Sequence, residues 1–400
     1  MIILLNTMKP IKSSNKKSNI KKYIYAVVFV VIFLLYLFIS SVFSFDNIQL
    51  NNDSGYQGTY HSWNNSNNFN ILVVYESKYD GNLINTYNAI LSVSKSSGVS
   101  LFNIPSNIKI MTSPNDFQTL DTIYPLGNLN SNKIGMNLMI KYLRYTLALP
   151  IDAYISFNSN SIVNSGKTVS IDSNQSYNYK NIKISSGYNV LSLNVEKEIL
   201  AIRNDNNSTL YIKSLIFQSL LAKYINLESF FNFNSQYSRF KDTFFSNISK
   251  GSLSNVMISL YKSKIGQFNL YYCPYSNNNN SDINIKNVDY YIRNNLLDQT
   301  FSNSNVSIQI LDASNNNFAV YEFSRYVQNI GGNITSIGIY NGSTNKDLIY
   351  VSNTAKYSYE VSVLKDILGR NNVTVIGKTP NFFYTGTIVV VLGEDDNYIY

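Results

Sequence analysis

Leu149-Pro-Ile-Asp-Ala-Tyr-Ile-Ser-Phe157 reads as a helix end, a stop and a strand in one short stretch. Upstream of it, Met136, Met139, Leu143 and Leu147 recur at i, i+3, i+7 and i+11, one face of a helix over about 133–148. Pro150 ends that helix, and Ala153 to Phe157 is apolar and of strand length. Farther upstream, Ile71 to Tyr75 is a second such run. Ala89–Val93 and Val99–Ile104 flank the turn signal Lys95-Ser-Ser-Gly98 and predict a hairpin. Downstream, 165–188 is polar and predicts loops with short strands. Residues 209–225 are apolar almost all round, as in a helix buried on most sides. Met257–Tyr261 predicts a helix, Phe268–Tyr272 a strand, Asn277–Asn280 a loop and Val288–Leu297 a helix.

A second unit begins near 305. Val306, Ile308 and Ile310 alternate as a strand, 317–330 is helical up to Gly331-Gly332, and 334–340 and 348–351 are strands. A helix over 357–368 ends at Gly369, and 373–376 and 387–392 are strands. The predicted order β-α-β-β-α-β-β makes a small α/β domain.

The N-terminal end is different in kind. Six lysines (Lys9, Lys12, Lys16, Lys17, Lys21, Lys22) and no acid precede an uncharged run from Tyr23 to Phe45. As a helix that run spans about 34 Å, enough for a bilayer core. Lysines on one side and Asp46 on the other predict a cytoplasmic N-terminus and an external body. Residues 46–68 are polar and rich in Asn, Ser and Gly, as in a stalk.

The net charge of +8 belongs largely to that tail, since 26 basic and 24 acidic residues remain without the six lysines. A nearly neutral body lacks the basic field that nucleic acid requires. The single cysteine, Cys273, excludes intrachain disulfides and cysteine-based zinc sites. The single histidine, His61, lies in a polar stretch and excludes a two-histidine metal site. The 33 tyrosines suit sugar surfaces, but at that frequency they read as composition bias.

Several segments together resemble the LytR-CpsA-Psr (LCP) family of cell-envelope proteins. Over 69–300 the resemblance rests on Asn70-Ile-Leu-Val-Val-Tyr75, Asn88-Ala-Ile-Leu-Ser-Val93, Val99-Ser-Leu-Phe-Asn-Ile-Pro105, the 149–157 stretch and Glu196-Lys-Glu-Ile-Leu-Ala-Ile-Arg203. Over 304–396 the chain resembles the LytR C-terminal domain through Val306-Ser-Ile-Gln-Ile-Leu-Asp-Ala-Ser314, Leu348-Ile-Tyr350 and Thr387-Ile-Val-Val-Val-Leu-Gly-Glu-Asp395. The expected architecture is α/β throughout. It comprises a cytoplasmic tail (1–22), one transmembrane helix (23–45), a stalk (46–68), an LCP-like α-β-α domain with a mixed central sheet, and a small α/β C-terminal domain.

The resemblance implies a bacterial, single-pass membrane protein acting in cell-envelope glycopolymer assembly. Its implied partners are the membrane, a polyprenyl-phosphate lipid and cell-wall glycopolymer. The family's chemistry is phosphoryl transfer from a polyprenyl diphosphate, which calls for converging arginines and a Mg²⁺ held by carboxylates. Here most of those charges are missing. The family's aspartate position is Asn88, and its Arg-Asp pair after the third strand is Ser106-Asn107. The later arginine motif keeps Arg203, the expected catalytic residue, but its second arginine falls at about Asp205. Lys109, Arg203 and Lys213 are the phosphate-binding candidates, and no metal ligands are assigned.

Binding with catalysis degraded is the leading expectation. An active phosphotransferase requiring Mg²⁺ and a structural or protein-binding envelope module are the alternatives. Both ligand readings predict an open apolar cavity, whereas the structural reading predicts a cleft filled by its own side chains.

Overall fold

β1 (Phe69–Tyr79) and β2 (Asn82–Ser94) form a long antiparallel pair, buried on both faces from Phe69 to Glu76 and from Ile84 onward. Two-sided burial explains why these runs are continuously apolar rather than alternating. The computed structural model describes residues 24–33, Trp63 and 68–394. Within the last span it omits 80–81, 95–97, 114–115, 129–134, 165–167, 226–242 apart from Ser238, 264–267, 277–278, 315 and 370–372. The chain falls into two compact units, 1–47 and 48–400.

In the first unit, residues 24–33 form a helix, α1, with every described side chain exposed. Among the described residues no helix is long and apolar enough to cross a membrane. The rest of the expected 23–45 span lies outside the described residues, as do the basic tail and most of the stalk. Two residues at the far end of that stalk are packed on the body instead. Trp63 is buried against Phe69, its N–H donates to Ser252 Oγ, and its carbonyl accepts from Asn255. Asn68 donates to Leu297 O.

In the second unit, β2 turns through Gly98, at φ +79°, into β3 (Gly98–Ile104), which is the predicted hairpin. Residues 105–128, unassigned from sequence, add β4 (Lys109–Ser113), β5 (Asp116–Thr119) and helix α2 (Leu120–Asn128). Helix α3 (Gly135–Leu147) buries Met136, Met139, Leu143 and Leu147 as predicted, then gives way to β6 (Ala153–Asn158). β6 lies parallel to β1, and the register is pinned reciprocally. Asp152 N–H donates to Asn70 O, Asn70 N–H donates to Asp152 Oδ2 at 2.8 Å, and Asn70 Nδ2 donates to Pro150 O.

A short helix α4 (Ser159–Asn164), the small strands β7 (Val169–Ser173), β8 (Tyr177–Tyr179), β9 (Ile182–Ile184) and β10 (Gly187–Leu191), and helix α5 (Leu193–Leu200) follow. Helix α6 (Asn207–Tyr224) is capped by the Asn206 side chain and buried on most sides. After it come β11 (Phe245–Ser246), α7 (Lys250–Lys262) and β12 (Asn269–Tyr272). The resulting sheet is mixed, in the order β11-β6-β1-β2-β3-β12. One face carries Leu72, Val74, Ile90 and Phe102 against α2 and α3. The other turns Tyr87 and Phe157 toward Phe217 of α6.

Of the predicted loop 277–280, residues 279 and 280 instead open strand β14 (Asn279–Ile283), which pairs with β4 and with β13 (Tyr275–Ser276). Helices α8 (Ile285–Asn295) and α9 (Gln299–Asn303) lead into a five-stranded sheet. Its strands are β15 (Ser307–Asp312), β16 (Asn333–Ile339), β17 (Asp347–Val351), β18 (Val373–Ile376) and β19 (Ile388–Leu392), ordered β16-β15-β19-β17-β18. Helices α10 (Asn317–Asn329) and α11 (Ser358–Leu368) complete the predicted strand and helix order.

Arg325 of α10 ties this sheet to the first. Only 4% exposed, it donates to both Asp289 carboxylate oxygens, to Glu322 Oε2 and to the Tyr145 and Thr146 carbonyls. Ala148, in the left-handed region at φ 46°, ends α3 and packs in the core of the five-stranded half with Phe301 and Tyr326.

Burial pushes the Asp152 carboxyl up to about 7, with the Asn70 N–H and Arg144 opposing the shift. A carboxyl whose folded pKa is raised contributes stability that is fully present below its unfolded value, about 3.9, and lost as pH rises through the folded value. Urea midpoints are therefore expected to fall between about pH 4 and pH 7. Asp152→Asn keeps an acceptor for the Asn70 N–H and is expected to flatten that decline. An unchanged slope would remove Asp152 as its source.

Candidate functional site

The connection 201–206 between α5 and α6 carries the site. Its conformation follows from one buried charge. Lys213, on the second turn of α6, faces inward with no exposure at all. An ammonium in that position needs acceptors on every side. It donates to Asp205 Oδ1 at 2.6 Å, to Ile202 O at 2.6 Å and to Thr86 O. The Asp205 side chain is equally buried. Burial pushes its carboxyl up and the Lys213 ammonium down from their ordinary values, and their mutual attraction opposes both shifts.

The second Asp205 oxygen meets Ser106. Ser106 N–H donates to Asp205 Oδ2 at 3.1 Å. Its hydroxyl lies 2.9 Å from the same oxygen and 2.6 Å from Arg203 O, with one proton to give. The turn after β3 is thus bound to the 201–206 loop. The same turn holds the start of α2, because Ser106 O accepts from Asp121 N–H and Ile108 O from Leu120 N–H.

Arg203 projects from this frame with its side chain 43% exposed. Its Nε donates to Asp121 Oδ2, and Asp121 Oδ1 accepts from Thr119 Oγ1 at 2.6 Å. Asp121 is 1% exposed, so the guanidinium lies over a carboxylate that water does not reach.

Of the residues singled out from sequence, the structure brings Arg203, Ser106 and Lys213 into one network. Asn107 follows Ser106 in the turn, with its Oδ1 buried and unpaired within the chain. Lys213 is corrected from a phosphate candidate to a structural cation, because its ammonium is fully occupied and reaches no solvent. Lys109 stands elsewhere. It lies 3.5 Å from Asp282 Oδ1 and lines a cavity of about 780 Å³ that has neither Arg203 nor Lys213 in its wall. That cavity lies between strands β4, β5 and β14 and helix α10 and is walled by Met111, Phe117, Ile283, Phe318 and Tyr321, with Arg325 at its side.

Asn88 is fully buried on β2. Its Oδ1 accepts from Asn85 Nδ2 at 3.0 Å, while Asn88 Nδ2 and Asn85 Oδ1 have no partner among the described residues. A Mg²⁺ in this region would want carboxylate oxygens in an octahedral set. Asn88 and Asn107 offer neutral amides, and both oxygens of Asp121 are engaged. This donor set does not fit the ion. Among the described residues no cluster of three or more His, Cys, Asp or Glu side chains is placed to hold a metal.

Sequence reasoning missed Asp121 and Asn85. Asp121 offered one faint signal, an acid in the first turn of a helix, where it favours the helix dipole. Nothing in the sequence pairs it with Arg203, which is 82 residues away.

Removing one partner of the buried pair should be costly. Lys213→Met and Asp205→Asn are each expected to lower stability by about 3–5 kcal/mol, because each strands a buried polar or charged group. The double variant is expected to recover most of that loss. Urea unfolding of the three variants measures it, and a double variant as unstable as the sum would contradict the pairing.

No known family profile matches the chain, and no curated protein matches it. Three solved structures illustrate what its fold is similar to. TagV of Bacillus subtilis superposes with a TM-score of 0.45 at 13% identity, over 56% of this chain and 94% of that one. TagU of B. subtilis gives 0.41 at 11% identity, over 56% and 93%. The LytR-Csp2A-Psr enzyme from Actinomyces oris gives 0.45 at 13% identity, over 61% and 96%. Likeness at this level transfers no residue's role and no activity. The solved structures to which this chain is similar include one that bears the name of the family its sequence resembles.

Proposed function

We propose that this protein is a membrane-tethered, extracytoplasmic component of bacterial cell-envelope glycopolymer assembly that binds a polyprenyl-phosphate lipid or wall polymer without transferring phosphoryl groups. The observation that carries the reading is the Lys213–Asp205–Ser106 lock. Where the resemblance leads one to expect cations for a diphosphate, the chain places an acid that neutralises its own lysine. A diphosphate's developing charge calls for several donors held in place beforehand, and losing one such donor typically costs about 2.7–4 kcal/mol of transition-state stabilisation. Here Asn88, Ser106 and Asn107 are neutral and Asp205 is opposite in sign.

The ligand class is supported by the cavity between β4, β5, β14 and α10. Its apolar wall of Met111, Phe117, Ile283 and Phe318 suits a hydrocarbon chain, and Lys109 at the same cavity suits its phosphate. The tether is residues 23–45, with the six lysines on the cytoplasmic side. In this reading 69–300 is the LCP-like domain and 304–396 the LytR C-terminal-like domain.

The test uses the full-length chain in detergent. Polyprenyl diphosphate is expected to bind with or without Mg²⁺, and Lys109→Ala to weaken binding by about 1.5–3 kcal/mol. Incubation with a polyprenyl-diphosphate-linked oligosaccharide and wall acceptor is expected to release no polyprenyl phosphate above the buffer control. Mg²⁺-dependent release would make the protein a working phosphotransferase. Absence of binding would leave a structural or protein-binding module.

A further inference from the structure

The side of α6 turned away from Lys213 carries a second, unrelated feature. At about 100° per residue, Tyr211 and Lys213 point in nearly opposite directions. Tyr211 and Gln218 line a groove of about 570 Å³ closed by the 172–175 loop and by Phe268, Leu270 and Tyr272 at β12. That volume is typical of a small-molecule site.

The groove is built rather than incidental. Asn174 N–H donates to Tyr211 Oη at 3.0 Å, and Ser219 Oγ donates to Ser170 O at 2.8 Å, so β7 and its following loop are bound to α6 at two points. The loop is itself closed by Ser173 Oγ donating to Gln175 O at 2.6 Å. Gln218, in the wall, is 3% exposed, and its amide Nε2 is buried with no acceptor among the described residues. A buried amide donor left unpaired costs free energy, and a ligand oxygen would recover it.

The chemistry of the wall selects the ligand. It contains the amides of Asn174, Gln175, Asn207 and Gln218, the carboxylate of Asp172, and three aromatic rings. Among the described residues no lysine or arginine lines it. An anion would meet Asp172 with no compensating cation. A purely apolar ligand would leave four amides unpaired. A sugar ring matches both halves, with C–H faces for the aromatic rings and paired hydroxyls for the amides and carboxylate.

We propose that this groove binds a neutral saccharide, with Gln218 Nε2 donating to a ring or hydroxyl oxygen and an aromatic ring of the wall covering one sugar face. The site shares no residue with the Lys213 network or the Lys109 cavity, and it stands whether or not the function proposed above holds.

The test is saturation-transfer NMR and calorimetric titration of the full-length protein with two probes, the disaccharide of N-acetylglucosamine and maltose. At least one is expected to bind. Gln218→Leu, which removes the amide, and Tyr211→Ala are each expected to weaken binding about tenfold or more. Tyr384→Ala, an exposed tyrosine in the five-stranded half, is expected to bind like the unmodified protein. Asn174→Ala, on the exposed wall, provides a variant that removes a wall amide even if Gln218→Leu fails to fold. Failure of both sugars to bind, binding indifferent to every groove variant, or displacement of the sugar by inorganic phosphate would each overturn the proposal.

Discussion

Two fully buried side chains of opposite charge, Lys213 and Asp205, must neutralise each other, and the local architecture around the site follows from that need. Taking an ammonium and a carboxylate out of water costs several kcal/mol each. The cost is offset only when the remaining hydrogen-bonding positions are filled. Here Ile202 O, Thr86 O and Ser106 fill them. Those partners come from α5's end, from β2 and from the turn after β3. One ion pair therefore joins three separate stretches of chain and sets where Arg203 and Asp121 meet.

Arg325 does the same for α10, α8 and the end of α3. Its planar fork presents fixed donors, which suit two carboxylates and two carbonyls from different elements. Burial raises the Glu322 carboxyl while the neighbouring arginine opposes the shift. The cavity holding Lys109 lies along this seam, so its shape depends on how the five-stranded half is held. The half-paired amides of Asn85 and Asn88 contrast with these satisfied networks. Both sit on β2, Asn88 at the position where the resemblance leads one to expect a charged residue, and neither carries a charge to be balanced.

Much of the fold was legible because its signals are local. The apolar face at 136, 139, 143 and 147, the turn at Gly98 and the all-round apolar helix 207–224 each report their own structure through periodicity or backbone freedom. The strand and helix order from 305 onward was legible for the same reason, with short regular elements separated by turn residues. Residues 105–128 were not, because β4 and β5 are short strands that owe their place to pairing with each other and with β14. Asn279–Asn280 read as a loop by composition, yet it pairs as a strand, since pairing depends on a neighbour that composition does not report. Trp63 shows the same effect, reading as part of a polar stalk while its ring packs on Phe69.

The sequence by itself determined the order of elements, the near-neutral body behind a lysine-rich tail, and the neutral side chains at positions 88, 106 and 107. It also placed Arg203 and Lys213 among the few cations near the site. Only the tertiary structure decided their opposite fates, with Lys213 sealed inside against Asp205 and Arg203 left half-exposed over Asp121. A side chain's charge is written in the sequence. Its availability depends on which distant groups the fold brings within about 3 Å of it, and those contacts span from 8 to 127 residues along the chain.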